Sequence, residues 1–178
     1  MRITGGTLKG RRVQFSKGVI RPAMDRMRES VFAILGDLEG VSFLDIFSGS
    51  GIVALEAASR GASYIEAVEN DPLKRYSILD NIKMSPVRIQ CRFMPAELYV
   101  KRAKRHFDII FCDPPFPYRH KEGLLKSIAS SVLVNGETRI LLHCPKSEVS
   151  GDFGEKLTLK ETREYGRSAV IFFKICCD

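Results

Sequence analysis

Residues 43–51 read Phe43-Leu44-Asp45-Ile46-Phe47-Ser48-Gly49-Ser50-Gly51. An apolar run enters a glycine-spaced turn, and the segment 51–60, closed by Gly61, continues with helical spacing. A buried strand passing through such a turn into a helix opens a βαβ unit. Glycines let the backbone turn sharply and approach a ligand with no Cβ in the way. In open α/β sheets ligands bind beyond the carboxyl ends of the strands. The turn lacks the third glycine of a dinucleotide fingerprint and the lysine of a phosphate loop, which disfavours both.

Outward from this turn the chain alternates. Strands are expected at 41–46, 63–68, 87–93, 107–112 and 138–144, and helices at 23–36, 51–60, 72–84, 96–105 and 120–134. Alternation of this kind gives a mostly parallel sheet covered on both faces. Two last strands, 156–161 and 168–175, have no helix between them and should form an antiparallel hairpin. The expectation is an α/β, Rossmann-like, seven-stranded sheet in one domain, 1–178. Within it, 1–21 forms a basic hairpin-like arm and 22–178 the α/β core.

Composition fits that expectation. The 178 residues are 44% hydrophobic and 28% charged, in the range of an ordinary globular chain. No apolar run reaches the ~18 residues of a membrane span, and the start has no apolar signal core. Five cysteines without CxxC spacing argue against a disulfide framework or a zinc site. Cys91, Cys112 and Cys144 read as core residues. The expected location is cytoplasmic, with no membrane partner, no metal and no need for more than a monomer.

The net charge is +7. Residues 1–30 carry eight Lys and Arg against two acids, which suits a polyanionic partner. The basic run Lys101, Arg102, Lys104, Arg105 reads as a solvated helix face, and His106 and His120 as surface residues.

Two further motifs end strands. In Ala67-Val68-Glu69-Asn70-Asp71, Glu69 follows Gly51 by 18 residues. An acid there can accept both hydroxyls of a ribose. Asp71 before Pro72 is the better helix cap. Asp113-Pro114-Pro115-Phe116 follows the apolar strand at 107–112. An exocyclic amine on a base is a poor nucleophile because its lone pair is delocalised into the ring. A carboxylate and a backbone carbonyl can each accept one of its N–H bonds, drawing the nitrogen towards tetrahedral geometry. Prolines hold the carbonyl, and Phe116 can stack on an extruded base. A rigid turn with an N-capping Asp is the structural alternative. Tyr118 and Arg119 either border a base pocket or pack the loop.

These motifs resemble those of the amino-methyltransferases of the class I fold. The resemblance narrows with Arg2-Ile3-Thr4-Gly5-Gly6, Lys9-Gly10-Arg11-Arg12, Arg21-Pro22, the run Asp25 to Phe32, and Glu164-Tyr165-Gly166 before Phe172-Phe173. Together they resemble the RsmD family, whose members methylate N2 of a guanine in small-subunit (16S) ribosomal RNA. The resemblance implies S-adenosylmethionine as cofactor, held by Asp45, Phe47, Ser48, Gly49, Gly51, Glu69, Asn70 and Ala96. It implies a catalytic set of Asp113, Pro114, Pro115 and Phe116. It implies contact with ribosomal RNA, or the small ribosomal subunit, through Lys9, Arg11, Arg12, Arg21 and Arg26. Three positions depart from the family pattern: Ala23-Met24 replaces threonines, Met94-Pro95 stands where an Asp or Asn meets the adenine, and His143 lies near the fifth strand end, at the site rim, where an acid is common. A DNA amino-methyltransferase and a noncatalytic RNA-binding assembly factor on the same scaffold are the alternatives.

Overall fold

The computed structural model describes residues 1–15 and 22–176. Residues 16–21 and 177–178, with the side chains of Pro22 and Ala23, lie outside that description, and with them Lys17, Gly18, Arg21 and Cys177.

Four apolar runs become strands largely buried on both faces, as parallel strands under helices must be, while the edge strand at Ile89–Phe93 is mostly half-buried. The five are β1 (Ser42–Ile46), β2 (Tyr64–Glu69), β3 (Ile89–Phe93), β4 (Ile109–Cys112) and β5 (Arg139–Pro145). The hairpin β6 (Leu157–Tyr165) and β7 (Ser168–Ile175) completes a seven-stranded sheet in the order β3-β2-β1-β4-β5-β7-β6. β1 to β5 pair in parallel, whereas β7 runs antiparallel to β5 and β6. The expected fold class is the observed one.

The helices are α1 (Pro22–Leu35), α2 (Ile52–Ser59), α3 (Arg75–Asn81), α4 (Ala96–Arg102) and α5 (Lys121–Ala129). The helix expected over 72–84 is α3 flanked by 3-10 turns at Pro72–Lys74 and Ile82–Met84. Asp71 caps its start, its Oδ1 accepting from the Leu73 amide at 2.9 Å. α5 ends at Ala129, short of the expected 134.

α2 is buried along its whole length. It is covered partly by the N-terminal segment, which folds back through an Arg2–Arg12 bridge and buries Ile3, Leu8 and Val13 in the core. The fit is tight at Gly6, where φ is +74° and a Cβ would stand 1.7 Å from the Ser59 carbonyl oxygen. The segment is thus docked onto the core from its first residues. Arg28, counted above in the basic block, is 1% exposed. Its guanidinium donates to Asp25 Oδ1 at 2.7 Å and to the Arg2 carbonyl at 2.9 Å, and lies 3.7 Å from the buried Glu56 carboxylate. It ties the N-terminal segment to α1 and α2 and has no free face for a partner.

Candidate active site

Strand register brings the three motifs together. Ile46, the last residue of β1, pairs with Val68 on one side and Cys112 on the other. The next residues along each strand are Phe47, Glu69 and Asp113. Strands in one sheet lie about 4.8 Å apart, so Glu69 and Asp113 flank the glycine loop. The Asp113 amide donates to the Ile46 carbonyl at 3.1 Å, and the Ser48 amide to Val68 at 2.9 Å. The order reverses between β1 and β4, and that switch point is where open α/β sheets hold their ligands.

The loop is strained and cradle-shaped. Phe47 has φ +67°, a conformation that costs a non-glycine residue about 1–3 kcal/mol. Gly49 has φ +59°, and a Cβ there would meet nothing closer than the Phe47 carbonyl at 4.0 Å. The space over Gly49 is open to a ligand. Glu69 accepts from the Gly49 amide at 2.7 Å through Oε2 and from the Asp71 amide at 2.8 Å through Oε1. Lys74 Nζ stands 3.6 Å from Oε2 as an ion-pair partner, and Oε1 keeps a second acceptor position. Asn70 beside it is exposed, and Ala96 is buried at the start of α4. Ser50 offers its carbonyl to the buried Asn81 side chain, which also exchanges hydrogen bonds with the Gln14 backbone. Asn81 therefore joins the N-terminal segment to the loop.

Asp45 lies beneath the loop, fully buried. Its Oδ2 accepts from Ser48 Oγ at 2.5 Å and the Ala54 amide at 3.2 Å, while Oδ1 has no partner among the described residues. Burial pushes its carboxyl up to about 7, and the charges of Asp113 and Glu69 add to the rise. An unpartnered carboxylate oxygen at this depth suits a ligand that carries positive charge. The donor set and the open cradle together fit S-adenosylmethionine.

On the other side of the switch point, Pro114 is buried and Phe116 is 37% exposed. No helix starts at Asp113, since α5 begins at Lys121, so the capping alternative for this carboxylate falls away. The loop after the tetrapeptide is clamped by Lys121, a buried lysine. Its Nζ donates to the Phe116 carbonyl at 3.1 Å and the Tyr118 carbonyl at 2.5 Å, and pairs with Glu148 at 3.0 Å. Tyr118 packs on Phe47 at 5.1 Å between ring centroids, and its hydroxyl bonds to Glu97. That hydrogen bond holds the Glu97 carboxyl below its ordinary value. A cleft of about 570 Å³, within the range of small-molecule sites, opens beside the tetrapeptide between Phe116, Arg119, Glu148 and Phe153.

The structure corrects the position of His143. It is 4% exposed, not at the site rim, and its Nδ1 stands 2.7 Å from Asp113 Oδ1. Lys121 and Asn81 carry no sequence signal of their own, and their roles follow from contacts the fold creates. Of the cationic positions, Lys9, Arg11, Arg12 and Arg26 are exposed, whereas Arg21 lies outside the described residues. Lys101, Arg102, Lys104, Arg105, His106 and His120 are exposed as expected, but α4 ends at Arg102, so Lys104 and Arg105 lie beyond the helix face expected for them. Among the described residues there is no group of three or more potential metal ligands and no helix long and apolar enough to cross a membrane.

Comparison with known proteins agrees with the geometry. A family model described as Conserved hypothetical protein 95 matches residues 1–174. The Bacillus subtilis protein YlbH is 30% identical over 98% of both chains. Ribosomal RNA small subunit methyltransferase D of Escherichia coli is 32% identical over 76% of this chain and 68% of its own length. The solved structure of the Escherichia coli protein yhhF superposes with a TM-score of 0.85 at 25% identity, covering 98% of this chain and 97% of that one. Fold, motifs and full-length relatives converge: this chain is an enzyme of the RsmD family of ribosomal RNA methyltransferases.

Proposed function

We propose that the protein transfers a methyl group from S-adenosylmethionine to the exocyclic N2 amine of a guanine in small-subunit ribosomal RNA. The observation that carries this reading is the juxtaposition of Asp113-Pro114-Pro115-Phe116 with the glycine loop across the β1–β4 switch point. The name of the Escherichia coli relative, 32% identical over 76% of this chain, supports the choice of polymer.

S-adenosylmethionine supplies an electrophilic methyl group on a sulfonium centre. Asp45, Phe47, Ser48, Gly49 and Gly51 would hold its charged end and backbone, and Glu69 its ribose, with Asn70 at the rim and the buried Ala96 backbone at the head of α4. Asp113 and the Pro114 carbonyl each accept one N–H of the guanine amine, which frees the lone pair to point along the line of transfer. Phe116 stacks on the base. As the N–C bond forms and the methyl–sulfur bond breaks, the nitrogen gives up one proton, which Asp113 accepts and passes to solvent. Lys9, Arg11, Arg12 and Arg26 contact phosphates, giving affinity and orientation without base choice. The substrate-bound unit is a monomer, acting in the cytoplasm.

Asp113→Ala tests the assignment. Turnover should fall by at least about 100-fold, the loss typical of removing a group that acts on the developing charge, with the Kd for the cofactor within about threefold. Unchanged turnover on small subunits removes Asp113 from the mechanism. Label transferred to duplex DNA and not to RNA favours the DNA enzyme instead.

A further inference from the structure

His143 is held on β5 one residue past Leu142, which pairs with Cys112, so it stands beside Asp113 on the neighbouring strand. Its Nδ1 lies 2.7 Å from Asp113 Oδ1. Its ring meets the Phe116 ring edge-on at 5.7 Å between centroids. Its Nε2 is buried and has no partner among the described residues. A hydrogen on Nε2 would be a buried donor without an acceptor, and a lone pair on Nδ1 would face a carboxylate oxygen. Both place the hydrogen on Nδ1 of a neutral ring. The Asp113 side chain is 22% exposed, and its Oδ1 faces inward to this donor.

We infer that His143 is a positioning residue for methyl transfer: it donates from Nδ1 to Asp113 Oδ1, fixes the rotation of that carboxylate, and leaves Oδ2 as the oxygen that takes the hydrogen of the amine. The inference rests on the role given to Asp113 above. A carboxylate with one oxygen anchored presents the other in a single direction, whereas an unanchored one rotates about its Cα–Cβ and Cβ–Cγ bonds. The methyl donor and the amine lone pair must be collinear, so this direction enters the rate and not the affinity. The edge contact with Phe116 lets one side chain set both the hydrogen-bond acceptor and the stacking ring.

The test is steady-state kinetics of His143→Leu, His143→Asn and His143→Gln on small subunits, with thermal melting as the check on folding. The Asn amide places a donor where Nδ1 stands, the Gln amide lies one carbon further out, and Leu has none. Leu and Gln should lower kcat roughly 10- to 100-fold, the worth of one hydrogen bond to a charged group. KM for S-adenosylmethionine and for subunits should stay within about twofold. Asn should recover kcat to within roughly fivefold of the parent. Wild-type kcat in the Leu variant, a loss confined to KM, or an Asn variant no better than Gln overturns the inference. If the Leu variant does not fold, the Asn–Gln pair carries the same comparison. Asp113→Ala measured alongside separates the two claims. Retained turnover in that variant brings down the role of Asp113 and this inference with it. An inactive Asp113→Ala beside a fully active His143→Leu brings down this inference alone.

Discussion

Asp45 has one carboxylate oxygen hydrogen-bonded and the other without a partner, in a pocket that also holds the charges of Asp113 and Glu69. Burial pushes its carboxyl up to about 7, well above the ordinary carboxylate range, so the native state holds the proton more tightly than the unfolded chain. The contribution to stability is complete below about pH 3.8 and is lost as pH rises through about 7, at up to about 1.4 kcal/mol per pH unit. Subtracting the melting curves of Asp45→Asn from those of the parent should isolate this slope. A difference that stays flat between pH 5 and 8 contradicts it. A cofactor bearing positive charge favours the ionised carboxylate, so its binding should release a proton below about pH 7 and tighten as pH rises to that point. Titration calorimetry in two buffers of different ionisation enthalpy reads the proton directly, and identical heats exclude this role for Asp45.

The elements are held at the site by contacts that join distant parts of the chain. Lys121 at the head of α5 fixes the loop after the tetrapeptide. Lys121→Met should cost about 1–3 kcal/mol, the loss of a buried donor from two carbonyls and an acid. It should also speed hydrogen exchange at 116–120, where unchanged exchange would show that the loop holds itself. Gly6→Ala should displace the N-terminal segment from α2, because the added methyl would meet the Ser59 carbonyl at a φ that alanine resists. Exposure of a protease site within residues 1–13, absent in the parent, is the expected sign. The sheet was legible from sequence because period and turn residues are local: each strand and helix appears within a few residues of its expected place. The break of 72–84 into a helix between two 3-10 turns was not, nor the end of α5 at Ala129, since both depend on tertiary packing. The site was legible where a motif occupies consecutive residues, as in 45–51 and 113–116. His143 beside Asp113, Asn81 under Ser50 and Arg28 inside the core became readable only with the strand register and helix packing known. Their partners lie tens of residues away in the sequence.

At the scale of the molecule, the charge is uneven. Lys9, Arg11, Arg12 and Arg26 remain on the surface while Arg28 is consumed in the core, so the basic face offered to a polyanion is smaller than the sequence count suggests. Replacing Arg11 and Arg12 together by Ala should weaken RNA binding and reduce the slope of log K against log salt by about 1.5. An unchanged slope would make these residues ordinary surface. Lys9, Arg11 and Arg12 belong to a segment anchored by Ile3, Leu8 and Val13 and connected through Gln14 and Asn81 to Ser50 of the glycine loop, and Arg26 stands on α1. RNA bound at that face would sit on a segment packed against the core and hydrogen-bonded through Asn81 to the glycine loop. The most direct measurement of the central claim is methyl transfer from radiolabelled S-adenosylmethionine to small ribosomal subunits from cells lacking the enzyme. Duplex DNA is run in parallel, and the products are digested to nucleosides. Label recovered as N2-methylguanosine from the RNA, and absent with Asp113→Ala, is the predicted result. Label on another base, or on DNA alone, contradicts it.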